Sequence, residues 1–119
     1  MKEKDLKLAV SEYLEYGTNQ GKFYADRLNS GEVIVMAGQN RRRVKLCREG
    51  TADFMVIRAR RYFRNMPLVI TPQVIFLELK GDKGKTSPEQ RAFQKLIEAY
   101  GAEYHLIHSV EELKEILSE

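Results

Sequence analysis

The chain has 119 residues, of which 43% are hydrophobic and 31% are charged, and its formal net charge at pH 7 is +3. These values are typical of one globular domain with one core, so residues 1–119 are expected to form a single domain. No apolar run approaches the roughly 20 residues of a membrane-spanning helix, and the charged N-terminus does not resemble a signal peptide. Cys47 is the only cysteine, which excludes an intrachain disulfide. Together these features predict a cytoplasmic protein.

Positive charge is concentrated in the middle of the chain. Nine basic residues lie between Gly38 and Arg64, where only Glu49 and Asp53 oppose them. The basic residues are Arg41, Arg42, Arg43, Lys45, Arg48, Arg58, Arg60, Arg61 and Arg64. The last 19 residues contain five acids and one lysine. This asymmetry predicts that one side of the molecule binds a polyanion, with a solvated basic loop as the alternative.

The first predicted element is a helix over residues 3–16, which Gly17 is expected to end. Leu6 and Val10 belong to its buried apolar stripe. At about 100° per residue Glu3 falls within the same stripe, so an acid is expected on the buried side of the first turn. The alternative is that Glu3 only favours the helix N-terminus through the helix dipole.

The next four segments of the chain are predicted to form strands and a basic connection between them. Lys22–Leu28 and Glu32–Ala37 are predicted to be strands joined by a turn at residues 29–31. The basic segment from Gly38 to Gly50 is expected to be a loop or a ragged strand. Asp53–Ile57 is again apolar and predicts a strand.

The most apolar segment of the chain is Gln73–Lys80, in which Glu78 is the only interruption between Val74 and Leu79. Such a run predicts a central strand covered on both faces. The preceding Arg58–Pro72 stretch is expected to be a hairpin or a loop.

The C-terminal third predicts a helix, a strand and a helix. Ser87 is expected as an N-cap, followed by Pro88 at the first helical position and by Gln90, which closes a capping box. Glu103–Ile107 predicts a strand, and Ser109 begins the last helix. The resulting order is a helix, three to five strands, a helix, a strand and a helix. With three strands this is α-β-β-β-α-β-α, which indicates an α/β fold.

Asp53, Glu78 and Lys80 are the candidate catalytic residues. Side chains alternate along a strand, so Glu78 and Lys80 share a face, and Asp53 opens the neighbouring strand. Two carboxylates and a backbone carbonyl suit Mg²⁺ or Mn²⁺, and a lysine beside them can stabilise charge on a phosphate. The alternatives are a Glu78–Lys80 salt bridge and a turn-capping role for Asp53.

These segments resemble the PD-(D/E)xK nuclease superfamily and, within it, the VRR-NUC (virus-type replication-repair nuclease) family. The resemblance extends from Glu3 to about Leu117, and its motifs are GTAD at residues 50–53, FLELK at residues 76–80 and GKTSPEQ at residues 84–90. One departure is an alanine at the third GTAD position, where the family usually has a proline. The resemblance implies a restriction-endonuclease-like core with a mixed central sheet flanked by helices.

The resemblance also implies the role of each site residue. Asp53, Glu78 and the backbone carbonyl of Leu79 would coordinate Mg²⁺ or Mn²⁺, and Glu3 would complete the metal site. Lys80 would be the catalytic lysine.

A sixth site residue, Gln90, would orient that lysine or a water molecule. Family members of this type resemble structure-selective DNA endonucleases of bacterial or phage-infected cells. Some resemble Holliday-junction resolvases, which implies a branched DNA substrate and a homodimer. Residues expected to grip DNA phosphates are Arg41, Arg42, Arg43, Lys45, Arg60 and Arg61. The alternatives are a non-catalytic nucleic-acid-binding module on the same fold and a sequence-specific restriction enzyme.

Overall fold

A computed structural model describes residues 1–29, 31–63 and 68–118, with backbone only for Tyr62 and Phe63. The expected turn at Ser30 and the basic Arg64 lie outside these residues. Within them the chain forms an α/β fold of helices and strands. The elements are α1 (Glu3–Asn19), β1 (Tyr24–Arg27), β2 (Glu32–Ala37), β3 (Asn40–Lys45), β4 (Phe54–Phe63), β5 (Leu68–Leu79), α2 (Pro88–Glu98), β6 (Glu103–Ile107) and α3 (Val110–Leu117).

The central sheet is mixed and has the strand order β1-β4-β5-β6. The pairs β1–β4 and β4–β5 are antiparallel, whereas the pair β5–β6 is parallel. The hairpin β2–β3, here called the arm (Glu32–Lys45), forms a separate two-stranded sheet. When the arm is set aside, the remaining elements follow the predicted order α-β-β-β-α-β-α.

Helices cover both faces of the central sheet. On one face α1 and α3 pack against alternate strand residues, and Leu6, Leu77 and Leu113 are each fully buried in this core. On the other face α2 places Phe93 against Phe76, with the two rings edge to face at 5.2 Å between centroids. Because successive strand residues point to opposite faces, the even-numbered residues of β5, including Glu78, lie on the α2 side.

The prediction that Gly17 ends the first helix is wrong, since α1 continues to Asn19. Gly17 is buried inside the helix, and a Cβ at this position would overlap the ring of Phe23. The glycine therefore allows close packing of the following segment, and it is not a C-terminal stop signal.

The Arg58–Pro72 stretch, predicted to be a hairpin or a loop, is a hairpin in the structure. Its legs continue β4 and β5, in a register that runs from Phe54 opposite Leu77 to Phe63 opposite Leu68. Arg58 points to the α3 side, where Nη1 donates to the carbonyl of Leu117 at 2.7 Å. This arginine binds the carbonyl end of α3, which is the end that a cation stabilises.

Candidate metal centre

Asp53 lies at the junction between the GTAD segment and β4, beside the C-terminal end of β5. Its backbone N–H donates to the carbonyl of Leu77 at 3.0 Å, and its Oδ2 accepts the backbone N–H of Leu79 at 2.8 Å. The β4–β5 register ends at Phe54 opposite Leu77, and these two bonds hold Asp53 against the end of β5, beside Glu78. The Asp53 carboxylate binds the neighbouring strand, so it is not a cap of its own turn.

Glu78 is a buried acid with an incompletely satisfied carboxylate. Its exposed fraction is 4%, and Oε1 is buried without a hydrogen-bond partner among the described residues. Burial, a hydrogen bond with Asp53 and the negative charge of Asp53 raise the pKa of Glu78 to about 8, although Lys80 and Lys7 act in the opposite direction. The buried Glu78 therefore lies against the partly buried Asp53, whose side chain is 19% exposed, and the raised pKa keeps Glu78 protonated near neutral pH.

Lys80 follows β5 on the same face as Glu78. Its backbone N–H donates to the carbonyl of Ile107 at 3.1 Å, which fixes the chain at the end of the parallel strand pair. Its aliphatic stem lies against Gly84, where a Cβ would come within 2.9 Å of the lysine Cδ. In the described ranges no salt bridge joins Lys80 to Glu78, so the expected alternative of a paired salt bridge is not observed.

Lys7 is a site residue that the sequence did not reveal. Its Nζ lies 3.5 Å from Asp53 Oδ1 and 3.3 Å from Glu3 Oε2. Partial burial would lower the pKa of Lys7, but the charges of Asp53 and Glu3 outweigh burial and raise it. The Glu3 side chain is 42% exposed, so Glu3 lies at the edge of the buried side of α1 rather than within the buried stripe. Glu3 is connected to Asp53 through the Lys7 ammonium.

Tyr104 is a second unanticipated neighbour of the acids. Tyr104 on β6 pairs with Phe76 on β5, and both lie on the α2 face. Two residues further along β6, Leu106 is the partner of Glu78. Its hydroxyl is buried without a hydrogen-bond partner among the described residues. Burial and the charges of Glu78 and Asp53 raise the pKa of Tyr104. Two buried oxygen groups without partners thus occur close together on this face.

Gln90 forms the predicted capping box at the start of α2. Its Oε1 accepts the backbone N–H of Ser87 at 2.9 Å, and its own N–H donates to Ser87 Oγ at 3.1 Å. The side-chain oxygen is therefore used by the helix cap, and a role in orienting Lys80 stays a prediction. The same turn holds the GTAD segment, because Gly50 packs against the backbone of Glu89 with a φ of +87°.

The predicted DNA-binding residues separate into two places. Arg41, Arg42, Arg43 and Lys45 all lie on β3 of the arm and are exposed. Arg61 is also exposed, on β4. The remaining residue, Arg60, contacts Glu103 at 3.2 Å and is therefore already paired.

The donors of this centre fit a hard cation. Among residues 1–29, 31–63 and 68–118, no three His, Cys, Asp or Glu side chains form a metal-binding cluster. Mg²⁺ commonly binds through one or two carboxylates and completes its shell with water and substrate phosphate. The pair of Asp53 and Glu78, with an unpartnered buried oxygen on Glu78, meets this smaller requirement.

Comparisons with protein-family models, with curated proteins and with solved structures find no match to this chain. The resemblance to VRR-NUC nucleases therefore stays a prediction, which depends on the motifs and on the site geometry described above. None of the described helices is both long and apolar enough to cross a membrane.

Proposed function

We propose that this chain is a divalent-metal-dependent endonuclease of the PD-(D/E)xK type, which hydrolyses phosphodiester bonds in branched DNA as a homodimer. The observation that supports this proposal is the contact of the buried Glu78 with the partly buried Asp53, with Lys80 on the same strand face as Glu78. Burying two acids together is unfavourable unless a cation or a proton neutralises them.

Asp53, Glu78 and the carbonyl of Leu79 are the groups that would hold Mg²⁺ or Mn²⁺. A bound ion would supply Lewis acidity toward the phosphate and favour the ionised form of Glu78. Lys80 has a different task, because its ammonium can hold the attacking water and stabilise negative charge on the phosphate. Lys7 has to leave Asp53 Oδ1 before that oxygen can bind a metal ion, since both are cations.

The homodimer part of the proposal follows from size and symmetry. A chain of 119 residues offers little surface for holding several arms of a branched substrate. An isologous two-fold dimer would present two equivalent sites to such a substrate. Sedimentation or light scattering of the protein with and without a four-way junction measures this state, and a monomer on the junction would refute it.

The nuclease proposal is tested with a panel of single-stranded, duplex, flap and four-way DNA, in Mg²⁺ and in EDTA. We expect metal-dependent cleavage of the branched substrates, and its loss in Glu78→Gln and Lys80→Met. Lys83→Met is the matched control, because Lys83 is an exposed lysine of the loop after β5. Full activity of Glu78→Gln or Lys80→Met in Mg²⁺ would overturn the proposal.

The second candidate function is a non-catalytic nucleic-acid-binding module. It is favoured by one observation, namely that both Asp53 carboxylate oxygens already have partners, the Leu79 N–H and Lys7. Calorimetric titration with Mg²⁺ and Mn²⁺ separates the two candidates. Metal binding that Glu78→Gln abolishes supports the nuclease, whereas DNA binding without any metal binding supports the module.

A further inference from the structure

The arm is a two-stranded sheet that projects without support from the rest of the described structure. Among the described elements β2 and β3 contact only each other. Every residue of both strands is exposed, including Ile34 at 61% and Met36 at 58%. An isolated hairpin is at best marginally stable in water, so a partner that covers the arm would stabilise it.

The two faces of the arm differ in charge. Cross-strand partners share a face, and Ile34 pairs with Arg43 while Val35 pairs with Arg42. One face, here called the cationic face, therefore carries Glu32, Ile34, Met36, Arg41, Arg43 and Lys45. The opposite face, here called the valine face, carries Val33, Val35, Ala37, Asn40, Arg42 and Val44. Three of the four basic residues of β3 thus lie on one side, where Glu32 is the only acid.

The base of the arm is joined directly to the candidate metal centre. Leu28 N–H donates to the carbonyl of Asp53 at 2.8 Å, and Cys47 N–H donates to the carbonyl of Asn29 at 2.8 Å. Arg27, at the end of β1, lines a cleft of about 370 Å³ together with Lys7 and four other residues. The cleft carries further positive charge and adjoins the candidate metal centre through Lys7, whose Nζ lies 3.5 Å from Asp53 Oδ1.

We propose that the arm is a β-ribbon whose cationic face lies in a groove of duplex DNA. Arg41, Arg43 and Lys45 would contact phosphates, and Ile34 and Met36 would contact the sugars and base edges between them. A two-stranded ribbon fits the major groove, which is about 12 Å wide. The inference rests on the proposed function in that the ligand is DNA, but binding by the arm does not require cleavage.

Duplex DNA fits the cationic face better than a second copy of this chain does. Joining two cationic faces would bring the basic residues of both copies together, with one Glu32 from each copy to offset them. Like charges across an interface oppose association. A phosphate backbone supplies the complementary charge, and it releases bound counterions when arginine or lysine neutralises it.

The test compares two neighbouring arginines that point to opposite faces. Arg43→Gln and Arg42→Gln each remove one charge from an exposed β3 position. Binding of a fluorescein-labelled duplex of about 30 base pairs is measured by anisotropy in EDTA, over a range of salt concentrations. One phosphate contact contributes about one unit to the slope of log affinity against log salt concentration. Loss of that contact therefore lowers the affinity at about 0.1 M salt by a factor of about 8, relative to the affinity at about 1 M salt. The sequence alone groups Arg42 with the DNA-binding residues, but its pairing with Val35 places it on the valine face, so it does not belong to that set if the arm binds DNA through its cationic face. We therefore expect Arg43→Gln to lose this amount and Arg42→Gln to lose less than about 2-fold.

A second substitution on the cationic face, Arg41→Gln, should reproduce the loss seen with Arg43→Gln. Equal losses for the two faces, or no loss from either, would overturn the proposal. It would also fail if Arg43→Gln dissociated a dimer in sedimentation while the affinity for DNA stayed unchanged, since a second copy would then cover the cationic face. A face-dependent loss of binding without any cleavage of DNA in Mg²⁺ would support the arm and refute the nuclease, so the two failures are distinguishable.

Discussion

Replacing Glu78 with glutamine should change how the stability of the metal-free protein depends on pH. The pKa of Glu78 is raised from its ordinary value of 4.5 to about 8. Between these values the native protein keeps a proton that the unfolded chain releases, so the unfolded state binds fewer protons. By linkage, the contribution of Glu78 to stability is fully present below pH 4.5 and is lost as the pH rises toward 8. The glutamine side chain would keep the size of the original one but would have no proton to lose.

The size of this effect follows from the interval between the two pKa values. Each pH unit of separation corresponds to about 1.4 kcal/mol, so the interval from 4.5 to 8 gives an upper limit of about 5 kcal/mol. A domain of this size has a total stability of about 5–15 kcal/mol. The ionisation of one buried acid could therefore remove a large part of the stability of the metal-free protein.

The assay is urea denaturation in EDTA at pH 5, 6, 7 and 8, followed by far-UV circular dichroism. The free energy of unfolding of Glu78→Gln, relative to that of the natural sequence, should increase by about 3–4 kcal/mol between pH 5 and pH 8. Glu12→Gln is the control, because Glu12 is an exposed acid of α1, and its profile should parallel that of the natural sequence. If the pH profile of Glu78→Gln also paralleled that of the natural sequence, the reasoning about the burial of Glu78 beside Asp53 would be refuted.

Three further predictions concern the surroundings of the two acids. Tyr104→Phe removes a buried hydroxyl without a partner, so urea denaturation should show equal stability or a gain of up to about 1 kcal/mol, and a clear loss would contradict this. Gly50→Ala should cost at least about 2 kcal/mol, since its φ of +87° is strained for alanine and its Cβ would meet the Glu89 backbone. Gly38→Ala, with a φ of +64° and open space around it, should cost only about 1 kcal/mol; equal losses would argue against the Glu89 contact. Lys7→Met should tighten Mg²⁺ binding about 3- to 10-fold in calorimetry, because a competing cation is removed, and weaker binding would contradict that role.

The parts of this fold that the sequence predicts well depend on local signals. The capping box of α2 needs only Ser87 and Gln90, and the central strand follows from one apolar run that only Glu78 interrupts. The meeting of Asp53 with Glu78 also follows from strand alternation, once the two apolar strands are assumed to be neighbours.

The parts that the sequence does not predict depend on the relative placement of distant elements. Lys7 reaches Asp53 only because of how α1 is rotated on the sheet, although its spacing of four residues from Glu3 allows an ion pair. Tyr104 lies near the acids because of the parallel register of β6, which local sequence does not encode. The apolar pattern of β2 indicates a strand, but it does not show that this strand leaves the central sheet to form the arm.

A comparison of Glu78 with Glu103, a second acid of the same sheet, shows why Glu78 is the better candidate for function. Glu103 accepts hydrogen bonds from Gln73 and Arg60 and contacts His105 at 3.2 Å. Burial acts to raise the pKa of Glu103, but these partners outweigh burial and lower it, so its charge is stabilised within the fold. Among the described residues Glu78 Oε1 has no hydrogen-bond partner, and the pKa of Glu78 is raised. An acid whose charge the fold itself leaves unstabilised is suited to a cation supplied from outside, whereas Glu103 is suited to a structural role.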